Sequence, residues 1–243
     1  MNTFQDSLAR ALELVAGADP LLLSIVGRSL AVSGLACAIA CVLGLVLGGW
    51  LAVARFPGRG AVITVLNTFL AVPSVVVGLV VYLLLSRSGP LGFLGWLFSF
   101  QAMVFAQVLL VLPVCTALTR QVVEDAERAN GEQLQSLGAR GALRSLLLAF
   151  DERYALVTVL LACFGRAISE VGAVMIVGGN IEGFTRVMTT AIALETSKGD
   201  LPLALALGLV LLGVVLALNA AIALVARWRG GHAEGVVLAG AGG

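Results

Sequence analysis

Two opposite charges stand four residues apart inside a segment that is otherwise almost entirely apolar. Arg166 and Glu170 lie between residues 154 and 177, and an unpaired charge inside a membrane span costs at least about 2.5–3.5 kcal/mol. A spacing of four places both side chains on one helical face, where they can pair. Arg166 can therefore attract an anion, or the pair can cross-link helices. Glu170 suits the second interpretation better, because its carboxylate would repel an anion.

Polar side chains follow this segment at once. Between residues 178 and 190 the chain carries amide, hydroxyl and guanidinium groups, all of which can donate hydrogen bonds to an oxyanion. These groups belong to Asn180, Thr185, Arg186, Thr189 and Thr190. They could also dock another protein or cap a short helix predicted at residues 187–195. We expect an outer gate or a docking surface here.

The elements that position these residues have the composition of membrane spans. Hydrophobic residues make up 60% of the 243 residues, charged residues make up 12%, and the mean hydropathy is +1.05, whereas soluble domains carry about 25% charged residues. Apolar blocks long enough to cross about 30 Å of hydrocarbon predict five spans. These lie near residues 27–53, 61–86, 96–119, 154–177 and 201–226. We predict an all-α integral membrane protein in a lipid bilayer, with no nucleic-acid partner.

Basic residues beside the predicted spans indicate the orientation. Nine of the fifteen lie on the side that holds a charged loop at residues 120–153, five lie on the other side, and Arg166 is inside a span. The positive-inside rule then places the N-terminus outside and the C-terminus in the cytoplasm. We divide the chain into an interfacial helix (1–26), a transmembrane domain (27–228) that includes the cytoplasmic loop, and a flexible tail (229–243).

The spans lack the side-chain sets that intramembrane chemistry needs. Neither a carboxylate pair nor a Ser–Lys pair occurs in them, and the chain has no Gly-x-x-x-x-Gly-Lys-Ser/Thr loop for phosphate. The single histidine, His232, is in the tail. All four cysteines lie in apolar segments, and no two of them have Cys-x-x-Cys spacing. They are Cys37, Cys41, Cys115 and Cys163. We therefore predict no catalytic residue, no metal site and no cofactor.

The charged loop at residues 120–153 is large for a simple connection. Residues 126–137 and 139–148 can each form a helix, and the two would meet at Gly138, because glycine adopts the left-handed helix-ending conformation at low cost. Such a helical elbow would give a partner a rigid feature to grip. A solvated loop that only joins two spans is the alternative.

Two segments resemble the permease subunits of binding-protein-dependent ABC importers. Glu132, followed six residues later by Gly138-Ala139, has the spacing of the EAA motif in that family, although Gln-Leu replaces Ala-Ala. The segment Phe164-Gly-Arg-Ala-Ile-Ser-Glu-Val-Gly-Ala173 resembles the Arg-Ala-x-x-Glu-Phe-Gly-Ala signature of molybdate, sulfate and tungstate permeases, with Val171 in place of phenylalanine. The continuation to Asp200 is most similar to the tungstate branch.

The resemblance implies a type I importer (MetI-like) fold in a bacterial or archaeal cell membrane. It implies a homodimer of this chain, two separate ATPase subunits and an extracytoplasmic substrate-binding protein. Tungstate is the expected substrate, and molybdate or sulfate is the alternative. The residues expected to couple the chain to the ATPase are Glu132, Gly138, Ala139, Arg140 and Arg144. An ion-coupled secondary transporter is a further alternative, but it would need coupling-ion carboxylates and internal repeats.

Overall fold

Helices form the regular structure of the chain, as the sequence predicted. The computed structural model describes the backbone of residues 3–139 and 141–240, and the side chains of residues 5–139 and 141–226. Within this part the helices are α1 (Thr3–Ala16), α2 (Pro20–Val53), α3 (Arg59–Ala71), α4 (Ser74–Leu85), α5 (Phe100–Ser136), α6 (Gly141–Asp151), α7 (Arg153–Ile168), α8 (Gly172–Gly178), α9 (Met188–Lys198) and α10 (Leu201–Gly240), with a 3-10 turn at Gly92–Leu94.

Two of the predicted spans are bent pairs of helices, where a continuous helix was expected. The predicted span at 61–86 is divided beside Pro73 into α3 and α4, and the one at 154–177 is divided after Ile168 into α7 and α8. Proline lacks the N–H that a helix interior requires, and Pro73 has extended backbone (φ −60°, ψ 131°). By length and composition, the described residues offer three continuous spans, or up to five if each bent pair is one span.

Helix ends also differ from the expected positions. α2 begins at Pro20, because the Asp19 carboxylate accepts hydrogen bonds from the N–H groups of Leu21 (2.9 Å) and Leu22 (3.0 Å), as an N-cap does. The predicted span at 96–119 and the predicted loop helix at 126–137 form one helix, α5. α10 continues through residues 229–240, and residues 241–243 lie outside the described part.

The chain forms two compact units. The first comprises residues 1–40, 71–111 and 164–215. One cluster in this unit joins α2, α4, α5 and α8 through buried side chains that include Val32, Val81, Met103 and Val174. Another joins α1, α2, α9 and α10 through side chains that include Ala11, Ile25, Met188 and Leu207.

Helices α4 and α8 of the first unit approach each other at a glycine. A Cβ atom on Gly78 would lie 2.6 Å from the Cα atom of Ala173, which is much closer than carbon atoms approach without a bond. The missing side chain therefore allows backbone-to-backbone packing. This contact holds α8 beside α4.

The second unit comprises residues 41–70, 112–163 and 216–243. In this unit α2 packs closely on α5, since a Cβ atom on Gly44 would lie 2.7 Å from the Cβ atom of Cys115. A Cβ atom on Gly48 would lie 2.6 Å from the carbonyl oxygen of Thr116. Two glycines four residues apart thus serve close helix packing.

Candidate gate and coupling sites

The Arg166–Glu170 pair lies at the break between α7 and α8. Arg166 Nη1 donates to Glu170 Oε2 at 2.9 Å, and the side chains are 45% and 3% exposed. Glu170 Oε1 also accepts a hydrogen bond from the backbone N–H of Ala173 at 3.2 Å. The buried carboxylate therefore binds the end of α7 and the start of α8 at the same time.

Side chains from α5 and α9 bind backbone carbonyl groups beside the same break. Thr189 Oγ1 donates to the carbonyl oxygen of Glu170 at 2.7 Å, and Gln107 Nε2 donates to that of Ala167 at 3.0 Å. In a membrane protein, backbone groups that a broken helix leaves unpaired must find such partners. In this conformation the two contacts satisfy the carbonyl groups of Ala167 and Glu170 at the bend.

A small polar cavity lies next to this break. Its volume is about 10 Å³, which admits at most one water molecule. Polar groups on its wall come from Ser29, Ser33, Gln107, Glu170 and Thr189. Gln107 Oε1 is buried and has no hydrogen-bond partner among the described residues. This conformation is closed to a larger ligand at that point.

The segment after α8 is built from internal hydrogen bonds. The Asn180 amide exchanges hydrogen bonds with Thr190: Asn180 Nδ2 donates to the Thr190 carbonyl (3.2 Å), and Thr190 Oγ1 donates to Asn180 Oδ1 (2.9 Å). Thr185 Oγ1 donates to the carbonyl of Gly178 and accepts from the N–H of Ile181. The hydroxyl groups of Thr185 and Thr190 are buried, so they shape the segment from within.

Arginines fix the far end of this segment. Arg186 is buried, and its Nη1 atom lies 3.2 Å from Glu182 and 3.5 Å from the buried carboxylate of Glu195. Arg28 on α2 donates to the backbone carbonyls of Arg186 (3.1 Å) and Gly183 (2.9 Å). The segment between α8 and α9 is thus attached to α2 by Arg28 and to α9 by Glu195.

In the second unit, α5 and α6 meet at the predicted elbow. Gly138 has φ +86°, the left-handed conformation that favours glycine, and the N–H of Ala139 donates to the carbonyl of Leu134 at 3.0 Å. This six-to-one hydrogen bond is the mark of a glycine-terminated helix. The prediction of a helix end at Gly138 is confirmed. Arg140, which was predicted to contribute to coupling, lies outside the described residues.

Ion pairs hold the elbow in shape. Arg144 Nε on α6 donates to Glu127 Oε2 on α5 at 2.7 Å, and both side chains are largely buried. One turn earlier, Glu124 accepts hydrogen bonds from Arg120 Nη1 (2.7 Å) and from Arg59 Nη2 on α3. Two carboxylates on one face of α5 therefore connect it to α3 and α6.

The exposed surface of the elbow is mostly polar at the end of α5 and apolar along α6. Glu132 is exposed near the end of α5, and Ala139 is buried. Large side chains are exposed beside them, namely Leu137, Leu143, Leu146, Leu147 and Phe150. The four residues on α6 are spaced three or four apart and share one helical face, and an exposed apolar surface of this kind is typical of an interaction site.

Similarity to characterised proteins identifies the family. The chain is 42% identical over 226 residues to the tungstate uptake system permease protein TupB of Peptoclostridium acidaminophilum. The aligned region covers 91% of this chain and 97% of that protein. It is 44% identical over 213 residues to a probable anion ABC transporter permease protein of Haloferax volcanii, with 86% and 90% covered. The chain belongs to the ABC transporter permease family. A TupB protein of Campylobacter jejuni is 36% identical to this permease over 214 residues, with 88% and 90% covered.

The resemblance found in the sequence is confirmed, and the permease is a multi-pass cell-membrane protein. Sulfate transport permeases are more distant relatives, such as CysW of Escherichia coli, which is 32% identical over 69% of this chain and 60% of that protein. No family model matches the chain.

Several residues of the permease that sequence analysis did not single out hold its sites together. Gln107, Arg28 and Glu195 support the break and the following segment, and Glu124 and Glu127 support the elbow. For Gln107 a signal existed, because a polar side chain inside an apolar span commonly bonds to a neighbouring helix.

Proposed function

We propose that the chain is the transmembrane permease subunit of an ATP-driven ABC importer for tungstate. The observation that carries this proposal is the near full-length similarity, at 42% and 36% identity, to two permeases named for tungstate uptake. Molybdate or sulfate is the second candidate, supported by the more distant similarity to sulfate permeases.

The working complex is a homodimer of this chain in a type I (MetI-like) fold. Three to five spans from one chain hardly enclose a gated path for an anion, whereas two copies about a two-fold axis do. The basic residues on the side of residues 120–153 place that side, with the C-terminus, in the cytoplasm and the N-terminus outside. Two ATPase subunits bind inside, and a substrate-binding protein docks outside.

The elbow formed by α5, Gly138 and α6 receives the force of the ATPase. The apolar face of α6 docks into the ATPase subunit, while Glu132, Ala139, Arg140 and the Arg144–Glu127 ion pair (2.7 Å) orient it. A rigid elbow moves as one body, and α5 is continuous from Phe100 to Ser136. Displacement of the elbow therefore moves the cytoplasmic part of α5 in the second unit.

The break between α7 and α8 acts as the gate. The side chain of Glu170 is buried and bonded on both sides of the break, which suits a structural hinge. The half-exposed guanidinium of Arg166 attracts the oxyanion. The residues Asn180, Thr185, Arg186, Thr189 and Thr190 keep the outer segment rigid, so that the exposed side chains of Ile181 and Phe184 meet the binding protein.

Transport follows alternating access. ATP closes the two ATPase subunits, which draws the two elbows together and opens the path outward. The docked binding protein then delivers its anion, and hydrolysis restores the inward-facing state. The permease itself catalyses no reaction and needs no cofactor for this cycle.

A competition experiment tests the substrate. The permease, its ATPase and its binding protein are reconstituted in liposomes and offered equal concentrations of tungstate, molybdate and sulfate, and the accumulated tungsten, molybdenum and sulfur are measured by elemental analysis. We expect tungsten to exceed the other two. Preferential accumulation of sulfur or molybdenum would refute tungstate as the substrate.

A further inference from the structure

Three of the four cysteines converge in the second unit. Cys41 on α2, Cys115 on α5 and Cys163 on α7 are buried, and their sulfur atoms all lie within 4.8 Å of one another. The sequence predicted no metal site, because these residues are far apart along the chain and form no local motif. Packing of three helices produces the cluster.

The spacing of the sulfur atoms suits three-fold coordination. A point midway among three atoms that lie no more than 4.8 Å apart is at most about 2.8 Å from each, and metal–thiolate bonds are about 2.3 Å long. A shift of at most about half an ångström at each side chain brings all three into bonding distance. The close contact of Gly44 with Cys115 holds α2 and α5 near enough for this arrangement.

The apolar surroundings favour a bound ion that leaves the site without net charge. Cys115 and Cys163 are 0% exposed and Cys41 is 6% exposed, and a net charge buried in such surroundings is costly. A monovalent ion bound by one thiolate and two neutral thiols carries no net charge, whereas each further thiolate adds a buried negative charge, so one proton is released to solvent. A divalent ion such as zinc would need a second thiolate and almost always a fourth ligand. Soft sulfur ligands favour Cu(I) among the monovalent ions.

We propose that Cys41, Cys115 and Cys163 form a binding site for Cu(I). The ion accepts electron pairs from the three sulfur atoms, no oxidation or reduction takes place, and the proton of one thiol is displaced. Thr119 Oγ1, 3.9 Å from Cys115 Sγ, is placed to donate a hydrogen bond to a thiolate at that position. The bound ion joins α2, α5 and α7 within the second unit, so it stabilises the folded permease.

A chelator competition measures the site. The full-length permease, purified with its ATPase under reducing, oxygen-free conditions, is titrated with Cu(I) against a colorimetric Cu(I) chelator. We expect one Cu(I) per chain and a rise in the thermal unfolding temperature. The Cys115→Ser, Cys41→Ser and Cys163→Ser variants should each lose both effects. Cys37→Ser is the matched control, because Cys37 is a buried cysteine of α2 outside the cluster, and it should behave as wild type.

X-ray absorption of the copper-loaded wild type keeps the test independent of whether the variants fold. Three sulfur ligands at about 2.3 Å are expected, and a shell dominated by nitrogen or oxygen would overturn the proposal. It would also be overturned if the wild type retained no Cu(I) against the chelator. Unchanged binding in Cys115→Ser, equal loss in Cys37→Ser, or preference of the same thiols for Zn(II) would each contradict it.

Discussion

Glu170 makes three separate contacts at the break in the permease. Its two carboxylate oxygens accept from Arg166 Nη1 (2.9 Å) and from the N–H of Ala173 (3.2 Å), and its carbonyl accepts from Thr189 (2.7 Å). An ion pair alone would stabilise the charges, but the contact with Ala173 also fixes where α8 starts. The carboxylate therefore fixes the geometry of the break as well as pairing with the charge of Arg166.

Substitutions at Glu170 separate the two roles. Glu170→Gln keeps an oxygen for the N–H of Ala173 but loses the ion pair, so we expect the free energy of unfolding to fall by about 1 kcal/mol. Glu170→Ala loses both contacts, so we expect the free energy of unfolding to fall by about 2–3 kcal/mol. Thermal unfolding of the purified complex measures the difference. The control is Glu13→Gln, since Glu13 and its partner Arg10 are 70% and 73% exposed and such exposed pairs contribute at most about 1 kcal/mol to stability.

Exchange of the two charges tests whether the ion pair alone explains the role of Arg166 and Glu170 in uptake. Arg166→Glu combined with Glu170→Arg can restore the ion pair, but an arginine cannot accept from the N–H of Ala173. We expect uptake to remain impaired in this double variant. Uptake at the wild-type rate would show that the ion pair alone matters and that neither charge serves the path.

Gly78 provides a second prediction at the scale of one residue. A Cβ atom there would lie 2.6 Å from the backbone of Ala173, so Gly78→Ala should separate α4 from α8 and cost about 1–3 kcal/mol. Gly208→Ala is the matched control, because nothing lies within 4 Å of its Cβ position. Equal unfolding temperatures for the two variants would contradict the close contact.

At the scale of helices, the elbow between α5 and α6 depends on one left-handed glycine. Gly138 has φ +86° and open space at its Cβ position, so Gly138→Ala tests conformation without a clash. We expect Gly138→Ala to lower the free energy of unfolding by about 1–2 kcal/mol and to reduce the amount of ATPase that co-purifies. Gly138→Asn should lower stability less, because asparagine tolerates this conformation. Gly27→Ala, at an open site in α2 with ordinary φ, should be neutral or stabilising.

The Glu127–Arg144 ion pair should behave as a unit that joins α5 to α6. Glu127→Gln or Arg144→Gln leaves a largely buried charge without its partner, and we expect each to lower stability by about 1.5–3 kcal/mol and to weaken ATPase binding. The double exchange, Glu127→Arg with Arg144→Glu, should recover part of the stability and part of the ATPase binding. Asp125→Asn, in an exposed pair with Arg128, is the control. Full additivity of the two single effects in the exchanged variant would contradict the pairing.

What the sequence could predict at the scale of helices depended on local chemistry. The end of α5 at Gly138 was predictable, because a glycine after an amphipathic stretch is a local signal. The breaks at Pro73 and after Ile168 were missed, since the lengths of the apolar segments 61–86 and 154–177 favour continuous spans. Only packing reveals that Gln107 and Thr189 satisfy the carbonyls beside the second break.

For the whole molecule, the family was predictable and the arrangement of distant residues was not. The Arg166–Glu170 signature pointed to the permease family because its spacing is local and specific. The cysteine cluster joins residues 41, 115 and 163, and composition gives no indication that they meet. Where function depends on juxtaposition across helices, the structure is needed.

The central claim for the whole molecule is that ATP, acting through a separate subunit, drives an oxyanion through this permease. The most direct test is tungstate accumulation in liposomes that contain the permease and its ATPase, with the binding protein on the outer side. We predict accumulation only when ATP is inside and the binding protein is outside, unaffected by ionophores that collapse ion gradients. Accumulation by the permease alone, driven by an ion gradient without ATP, would contradict the account.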